Sequence, residues 1–441
     1  MLHKILPVTV VLCIIFYAFT IQKNTDQERL DMLAEKYVKL VLTVGQYDPF
    51  YVDAYYGPPE WKPDSSKEKQ KYDFPSVKLL SEAEELITEL EKVDDTTFPD
   101  IRKRRLRFLK KHLLAVKGRI GFLSGKKFKF DDESRVFYDA VAPAVSEADL
   151  LRTINELDKS LPGKGTISER YETFKNAFII PQDKVDTLYQ TALAECRKRT
   201  LKHIVLPVNE RFTIEYVANE PWGAYNWYKG NATSIIQFNT DIVSTVSGVL
   251  AVTSHEGYPG HHTHNARLEM KLYKERGWVE YSVYPLYSPL SLIAEGVAEY
   301  GIHLLFTDEE LINYESSVLF PLAGLDTANV RTYHHIARLR SALEGAMVEV
   351  ARRYLDGQFS KEEAIEWLSR YGLRSPLRAK KNLDFIGRYR SYVINYSVGE
   401  SLIRRYIEKH ASPEDNREKK WQLFTEIIST PVVPSDLEVI E

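Results

Sequence analysis

The stretch His255-Glu256-Gly257-Tyr258-Pro259-Gly260-His261-His262, with His264 just beyond it, restricts this chain more than any other. The protein has 11 His in 441 residues, and positions 255–264 hold four of them where composition alone gives about 0.25. Imidazoles at that density, beside a carboxylate, are what a zinc site needs: neutral His nitrogens bind the metal and a nearby Glu takes a proton from water. The familiar arrangement, His-Glu-x-x-His on one helix face, does not apply, because the next histidines lie six and seven residues after His255. On an unbroken helix His261 would point roughly 120° away from His255, and His262 would return to the same face about 10.5 Å along the axis. Pro259 has no N–H for the carbonyl of residue 255, and its ring crowds that carbonyl, so the helix is expected to loosen or bulge there. Gly260 then opens backbone angles closed to other residues. The pair brings a later His back beside His255, and geometry alone leaves His261 and His262 both open as the second ligand.

A second motif, Glu295-Gly296-Val297-Ala298-Glu299-Tyr300, follows some thirty residues later on an expected helix from Ser291 to Phe306. Glu295, Glu299 and His303 share one face of it, and the apolar neighbours Leu292, Ile293, Val297, Ala298 and Ile302 make it mostly buried. Carboxylates on a buried helix need a partner, and a metal is one.

Together these motifs resemble the bacterial zincin-like family catalogued as domain of unknown function 885, over roughly residues 235–400. The resemblance implies a mainly α, zincin-like metallohydrolase fold with one zinc ion. It also implies His255 and His261 as ligands, Glu295 as third ligand and Glu256 as general base. The dipeptidyl peptidase III family offers a looser parallel, with extra residues between its ligand histidines. This chain departs from the usual pattern at His264, where the family has Gln, and at Val297, where it has Trp; it is also shorter than most members. Glu299 reads as a carboxylate that orients a ligand His.

The rest of the chain supplies context. Lys4 and the apolar run Ile5–Ile21 read as an N-terminal anchor over residues 1–24, with a removed signal peptide as the alternative. The anchor would hold residues 25–441, a single mainly helical domain with its active-site core at about 205–400, at the membrane and outside the cytoplasm; cleavage would release it as a secreted protein. A net charge of −3 gives no reason to expect nucleic acid, and no protein partner is inferred. Only Cys13 and Cys196 occur, so there is no disulfide framework. Residues 51–59, Tyr-Val-Asp-Ala-Tyr-Tyr-Gly-Pro-Pro, form an aromatic loop whose tyrosines line a cleft or cap a core.

Helices are expected across 76–125, split near Phe98-Pro99, with an apolar stripe from Leu106 to Leu123 and a basic run from Arg102 to Lys111 on solvated faces. More follow at 146–160, 167–178, 181–202, 321–356, 361–371 and 376–409. Residues 212–217 and 234–239 are β-prone, with Pro221, Gly223 and Gly230 in their connection. They predict a small β-element next to the site helix, the segment ending Phe238-Asn239-Thr240-Asp241 being the candidate edge for an extended peptide. Asp241 is expected to cap the helix that carries His255. The last dozen residues read as an irregular tail.

Oxyanion stabilisation falls to a Tyr, His or Arg, and the candidates are Tyr396, Arg338 and His334. Tyr392, Tyr396 and Gly399 sit in a segment resembling the family's Tyr-x-x-Gly motif. The sequence thus predicts a zinc hydrolase acting on a peptide or small amide, with a non-peptide substrate or a non-catalytic, metal-binding anchored protein as alternatives.

Overall fold

The computed structural model describes residues 6–63, 74–220, 222–412 and 416–438, with side chains from residue 26 onward. The expected N-terminal anchor, 1–24, therefore falls outside the residues whose side chains are described. Among the described residues no helix is long and apolar enough to cross a membrane. The chain is 65% helix and 8% strand, which makes it mainly α.

Helix α1 (Leu6–Gly45) leads into strand β1 (Val52–Tyr55). Helices α2 (Ser76–Glu91), α3 (Asp100–Leu123), α4 (Phe130–Tyr138), α5 (Glu147–Ser160), α6 (Ile167–Asn176) and α7 (Val185–Thr200) follow. Strands β2 (Arg211–Val217), β3 (Ala224–Gly230) and β4 (Thr233–Asn239) come next, then α8 (Val246–Glu256) and α9 (His261–Leu268). Strand β5 (Val283–Pro285) introduces α10 (Pro289–Leu305), followed by α11 (Asp308–Tyr314), α12 (Phe320–Ala323), α13 (Val330–Ser341) and α14 (Gly345–Leu355). The chain closes with α15 (Lys361–Tyr371), α16 (Pro376–Tyr389), α17 (Ile394–His410) and α18 (Arg417–Ile427).

Local chemistry explains many of these boundaries. Ser146, Thr166, Thr307 and Ser360 each accept a hydrogen bond from the backbone N–H three residues on, satisfying a donor that the first turn leaves free. The stripe Leu106, Leu109, Leu113, Val116 and Ile120 is buried, as its spacing requires, and one contiguous core runs from Leu30 to Leu437. The last described residues are irregular, as expected, apart from a 3-10 turn at Pro434–Asp436, yet they are packed, with Val432 and Val433 both buried.

Several expectations change. The basic run on α3 is not wholly solvated, because Arg105 is buried and donates to Glu280 from both Nε (2.6 Å) and Nη2 (3.0 Å), and also to Asp31. The long helix expected over 321–356 is three pieces: Gly324 ends α12 in a left-handed conformation (φ 69°), and α13 stops at Ser341. Thr245, not Asp241, caps α8, while the Asp241 carboxylate accepts from the backbone N–H of Asn219 at 2.6 Å.

The presumed connection between the two β-prone runs contains a strand of its own. The order is β2-β4-β3, with β2 parallel and β3 antiparallel to β4. Strand β4 is therefore central and bonded on both sides, so the segment ending at Asp241 offers no free edge. Strand β3 packs on both α8 and α9, and β4 packs on α9. A separate antiparallel pair, β1 with β5, lies beside β3.

Candidate metal centre

Helix α8 ends at Glu256 and α9 begins at His261, so the four residues between them break the helix outright. A bulge would have kept one axis. Gly260 permits the break: a Cβ there would lie 1.8 Å from the His255 carbonyl oxygen and 2.5 Å from that of Ser254, space only glycine leaves open. Its N–H donates to the Ser254 carbonyl at 3.0 Å, closing the corner. Pro259 then packs on α10 at Gly301, where an added Cβ would come within 3.0 Å of its ring.

The corner returns His261 to His255. Their Nε2 atoms are 3.1 Å apart. Glu295 faces both from α10, its Oε2 lying 3.4 Å from His255 Nε2 and 3.7 Å from His261 Nε2. Two donors bound to zinc at 2.0–2.1 Å and at the tetrahedral angle stand roughly 3.4 Å apart, so the three spacings match those of a shared ion. Glu295 Oε2 is also buried with no hydrogen-bond partner, an arrangement that is costly unless something positive meets it. The other oxygen, Oε1, accepts from the Tyr392 hydroxyl at 2.6 Å. His255 Nδ1 lies 3.4 Å from Glu299 Oε1, which turns Nε2 toward the cluster. His, His and Glu, with these spacings and this orphan oxygen, suit a zinc ion.

The electrostatics agree. Burial opposes charge on His255, yet Glu295, Glu299 and Glu256 outweigh it and hold the ring well above the ordinary imidazole value. Burial likewise works against ionised Glu295, but His261 and His255 hold its carboxyl well below the usual range. The pocket is thus built to favour positive charge. Glu256, next to His255, is pushed up by burial, an effect the two histidines oppose. Among the described residues no salt bridge ties its side chain, while its backbone carbonyl accepts from Asn226 Nδ2 on β3 at 2.6 Å.

His262 takes no part in the cluster. Its Nε2 donates to Glu210 Oε1 (2.9 Å) and its Nδ1 meets Ser234 Oγ (2.7 Å), so both ring nitrogens are engaged on the far side of the corner. His264 is buried, and burial pushes its ring down to about 3. His303 on α10 is held down by burial as well.

Of the three oxyanion candidates, Tyr396 is the one the fold brings to the centre. It stands on α17 with Glu295, Glu299 and Glu256 as charged neighbours, which with burial keep its hydroxyl protonated. Arg338 is a correction: it is exposed on α13 and ion-paired to Asp308 at 2.7 Å, where it touches none of the cluster. His334 bonds to buried Glu315 at 2.7 Å, and Ser247, from the first turn of α8, donates to the same carboxylate oxygen. That network sits at the opposite end of α8 from His255.

Helix α17 reaches the site because Gly296 and Gly399 face each other across its crossing with α10. A Cβ on Gly296 would lie 2.5 Å from the Gly399 carbonyl, and one on Gly399 would lie 2.6 Å from the Leu292 carbonyl. This approach sets Tyr392 and Tyr396 against Glu295. Sequence reasoning missed Asp53 on β1, Tyr225 on β3 and Tyr284 on β5. The Tyr225 hydroxyl donates to Asp53, and both Tyr225 and Tyr284 have Asp53 and Glu295 as charged neighbours. The stretch 51–59 draws the eye for its tyrosines, yet Tyr51 is buried in the core and Asp53 is the residue that faces the site.

Within the mainly α fold that was expected, the layout joins a His-Glu pair ending one helix, a second His past a break, a Glu from the next helix, and a small sheet alongside. No family model matches the sequence, and no curated protein does. Solved structures do. A provisionally assigned lipoprotein of Colwellia psychrerythraea superposes with a TM-score of 0.53 at 14% identity, over 81% of this chain. The protein described here spans 65% of that chain's length. A similarly assigned lipoprotein of Shewanella oneidensis gives 0.45 at 11% identity, covering 82% of this chain and 72% of that one. Metallocarboxypeptidase 1 of Trypanosoma cruzi gives 0.44 at 13%, covering 92% and 90%. At these identities the Colwellia likeness is one of fold.

Proposed function

We propose that this protein is a zinc-dependent hydrolase of amide bonds, a peptidase in the simplest case. The observation that carries the reading is the spacing of His255, His261 and Glu295, together with a second buried carboxylate, Glu256, that none of them uses. These three residues would hold one zinc ion, leaving a coordination position open as catalytic sites require. Bound there, zinc supplies Lewis acidity, acidifying water and polarising a carbonyl.

The chain's own residues do the rest. Glu256 accepts the proton of the attacking water and returns it to the leaving nitrogen, a task its raised, desolvated carboxyl suits. Glu299 keeps the His255 ring oriented through Nδ1. Tyr392 holds Glu295 through Oε1, so Oε2 alone faces the histidines. Tyr396, whose hydroxyl burial and the neighbouring carboxylates keep protonated, would donate to a developing oxyanion. We further propose that the apolar run Ile5–Ile21 puts this activity outside the cytoplasm; fractionation of cells that express the full chain would test it.

The test of the chemistry is Glu256→Gln, assayed against a mixed peptide library with and without a chelator. The variant should keep its metal and lose about 10²–10⁴-fold in turnover. Unchanged turnover would remove Glu256 from the reaction, and chelator-insensitive cleavage by the wild type would remove the metal.

A further inference from the structure

Tyr392 fixes Glu295, and something must in turn fix Tyr392. The chain reaches it through an abrupt corner. Helix α16 ends at Tyr389, and Arg390 follows at φ 55° and ψ −125°, a backbone conformation that glycine takes freely and other residues rarely. A single tight turn, Arg390–Val393, then carries Ser391 and Tyr392 before α17 begins at Ile394. A residue other than glycine keeps such a conformation only where its surroundings hold it there.

The hold comes from Glu133 on α4, 258 residues before Ser391. Its carboxylate is buried and accepts three hydrogen bonds from the corner. Arg390 Nε donates to Oε2 at 2.6 Å, while the backbone N–H of Ser391 (3.1 Å) and its hydroxyl (2.7 Å) both donate to Oε1. Arg390 also supplies the opposite charge that a buried carboxylate requires. The grip thus falls on the backbone and the side chain of the residue directly before Tyr392, and it sets where that ring leaves the chain. Tyr138, later on the same helix as Glu133, meets the Tyr392 ring edge-on with centroids 6.1 Å apart. The Tyr392 hydroxyl then donates to Glu295 Oε1 at 2.6 Å. Glu133, Ser391, Tyr392 and Glu295 are all buried, so the contacts run through the interior from α4 to α10.

We propose that Glu133 is a positioning residue for the metal centre: by clamping Arg390 and Ser391 it sets the Tyr392 hydroxyl against Glu295 Oε1 and so leaves Oε2 for the ion. This rests on the zinc hydrolase reading and adds to it a carboxylate that lies outside the cluster.

The test is a double-mutant cycle on zinc affinity, read by competition with a chromogenic chelator, with the unfolding temperature of the metal-free protein followed in parallel. Glu133→Gln should weaken zinc binding about tenfold, within the loss caused by Tyr392→Phe. In the Tyr392→Phe background the same substitution should cost no further affinity, because the hydroxyl through which Glu133 acts is gone. Its effect on unfolding temperature should be equal in the two backgrounds, which separates positioning from a merely structural role. Ser391→Ala spares the buried charge pair and guards against poor folding of Glu133→Gln. It should weaken zinc binding a few-fold, again only where the Tyr392 hydroxyl is present. Equal losses of affinity in both backgrounds would overturn the proposal and leave the metal centre standing. So would unchanged affinity in Glu133→Gln or, should that protein not fold, in Ser391→Ala. A wild-type chain that binds no zinc would overturn the metal centre itself, and this proposal with it.

Discussion

Adjacent histidines at 261 and 262 serve opposite ends, and single contacts decide which does what. His262 is locked by Glu210, a buried carboxylate that also accepts from Arg197 (2.7 Å) and from the Tyr258 hydroxyl. Burial would raise Glu210, but the hydrogen bonds from His262, Arg197 and Tyr258 outweigh it and hold its carboxyl down at about 2. A folded pKa below the unfolded value stabilises the protein above the unfolded pKa and loses that contribution as pH falls through the folded one. Wild type should therefore unfold at a higher temperature than Glu210→Gln above pH 4.5, and the gap should close as pH falls toward 2. A gap that stays constant across that range would show that the Glu210 charge does not brace the corner. The hydroxyl of Tyr392 makes a comparable contribution on the metal side. Tyr392→Phe should weaken zinc binding about 10–100-fold, read by competition with a chromogenic chelator, with the unfolding temperature little changed. Unaltered zinc affinity would mean that Glu295 needs no such support.

Elements meet at the site through two close approaches that glycine allows. The α10–α17 crossing is the tighter constraint, because the atoms facing Gly296 are backbone and cannot rotate away. Gly296→Ala should destabilise the fold by about 1–3 kcal/mol in denaturant unfolding and reduce zinc affinity, since it moves Tyr392 off Glu295. A neutral result would show that the helices part without cost. Much at this scale was legible beforehand. The α3 stripe, the break near Phe98-Pro99 and the helix carrying Glu295 all follow from apolar spacing and from Pro. Strand β3 was hidden, because Gly223 and Gly230 at its ends look like turn residues. Its role shows only in register, with Trp227 opposite Ile235 and Asn226 opposite Ile236. The cap of α8 was misplaced for a related reason: Asp241 and Thr245 are both good caps by type, and the Asn219 N–H claims Asp241.

Across the whole molecule, the site draws on β1, β3, β5, α8, α9, α10 and the segment around Tyr392, spread over some 340 residues of chain. The cluster was partly legible in the sequence: histidines crowded around Pro-Gly and a Glu on the next buried helix marked the region, while spacing left His261 and His262 both open and only the family resemblance favoured His261. Asp53 and Tyr225 could not be read there, since nothing in their local spacing says that two separate sheets bring them together. Arg338 shows the converse. An arginine on a polar helix reads as a possible oxyanion donor until the tertiary structure turns it to solvent and pairs it with Asp308. The most direct test of the account is the anomalous scattering of crystals grown with zinc, recorded on either side of the zinc absorption edge. It should show one ion per chain between His255 Nε2, His261 Nε2 and Glu295 Oε2, with Glu256 near it and unbound. Density on other side chains, or none at all, would contradict the metal centre on which the proposed hydrolysis depends.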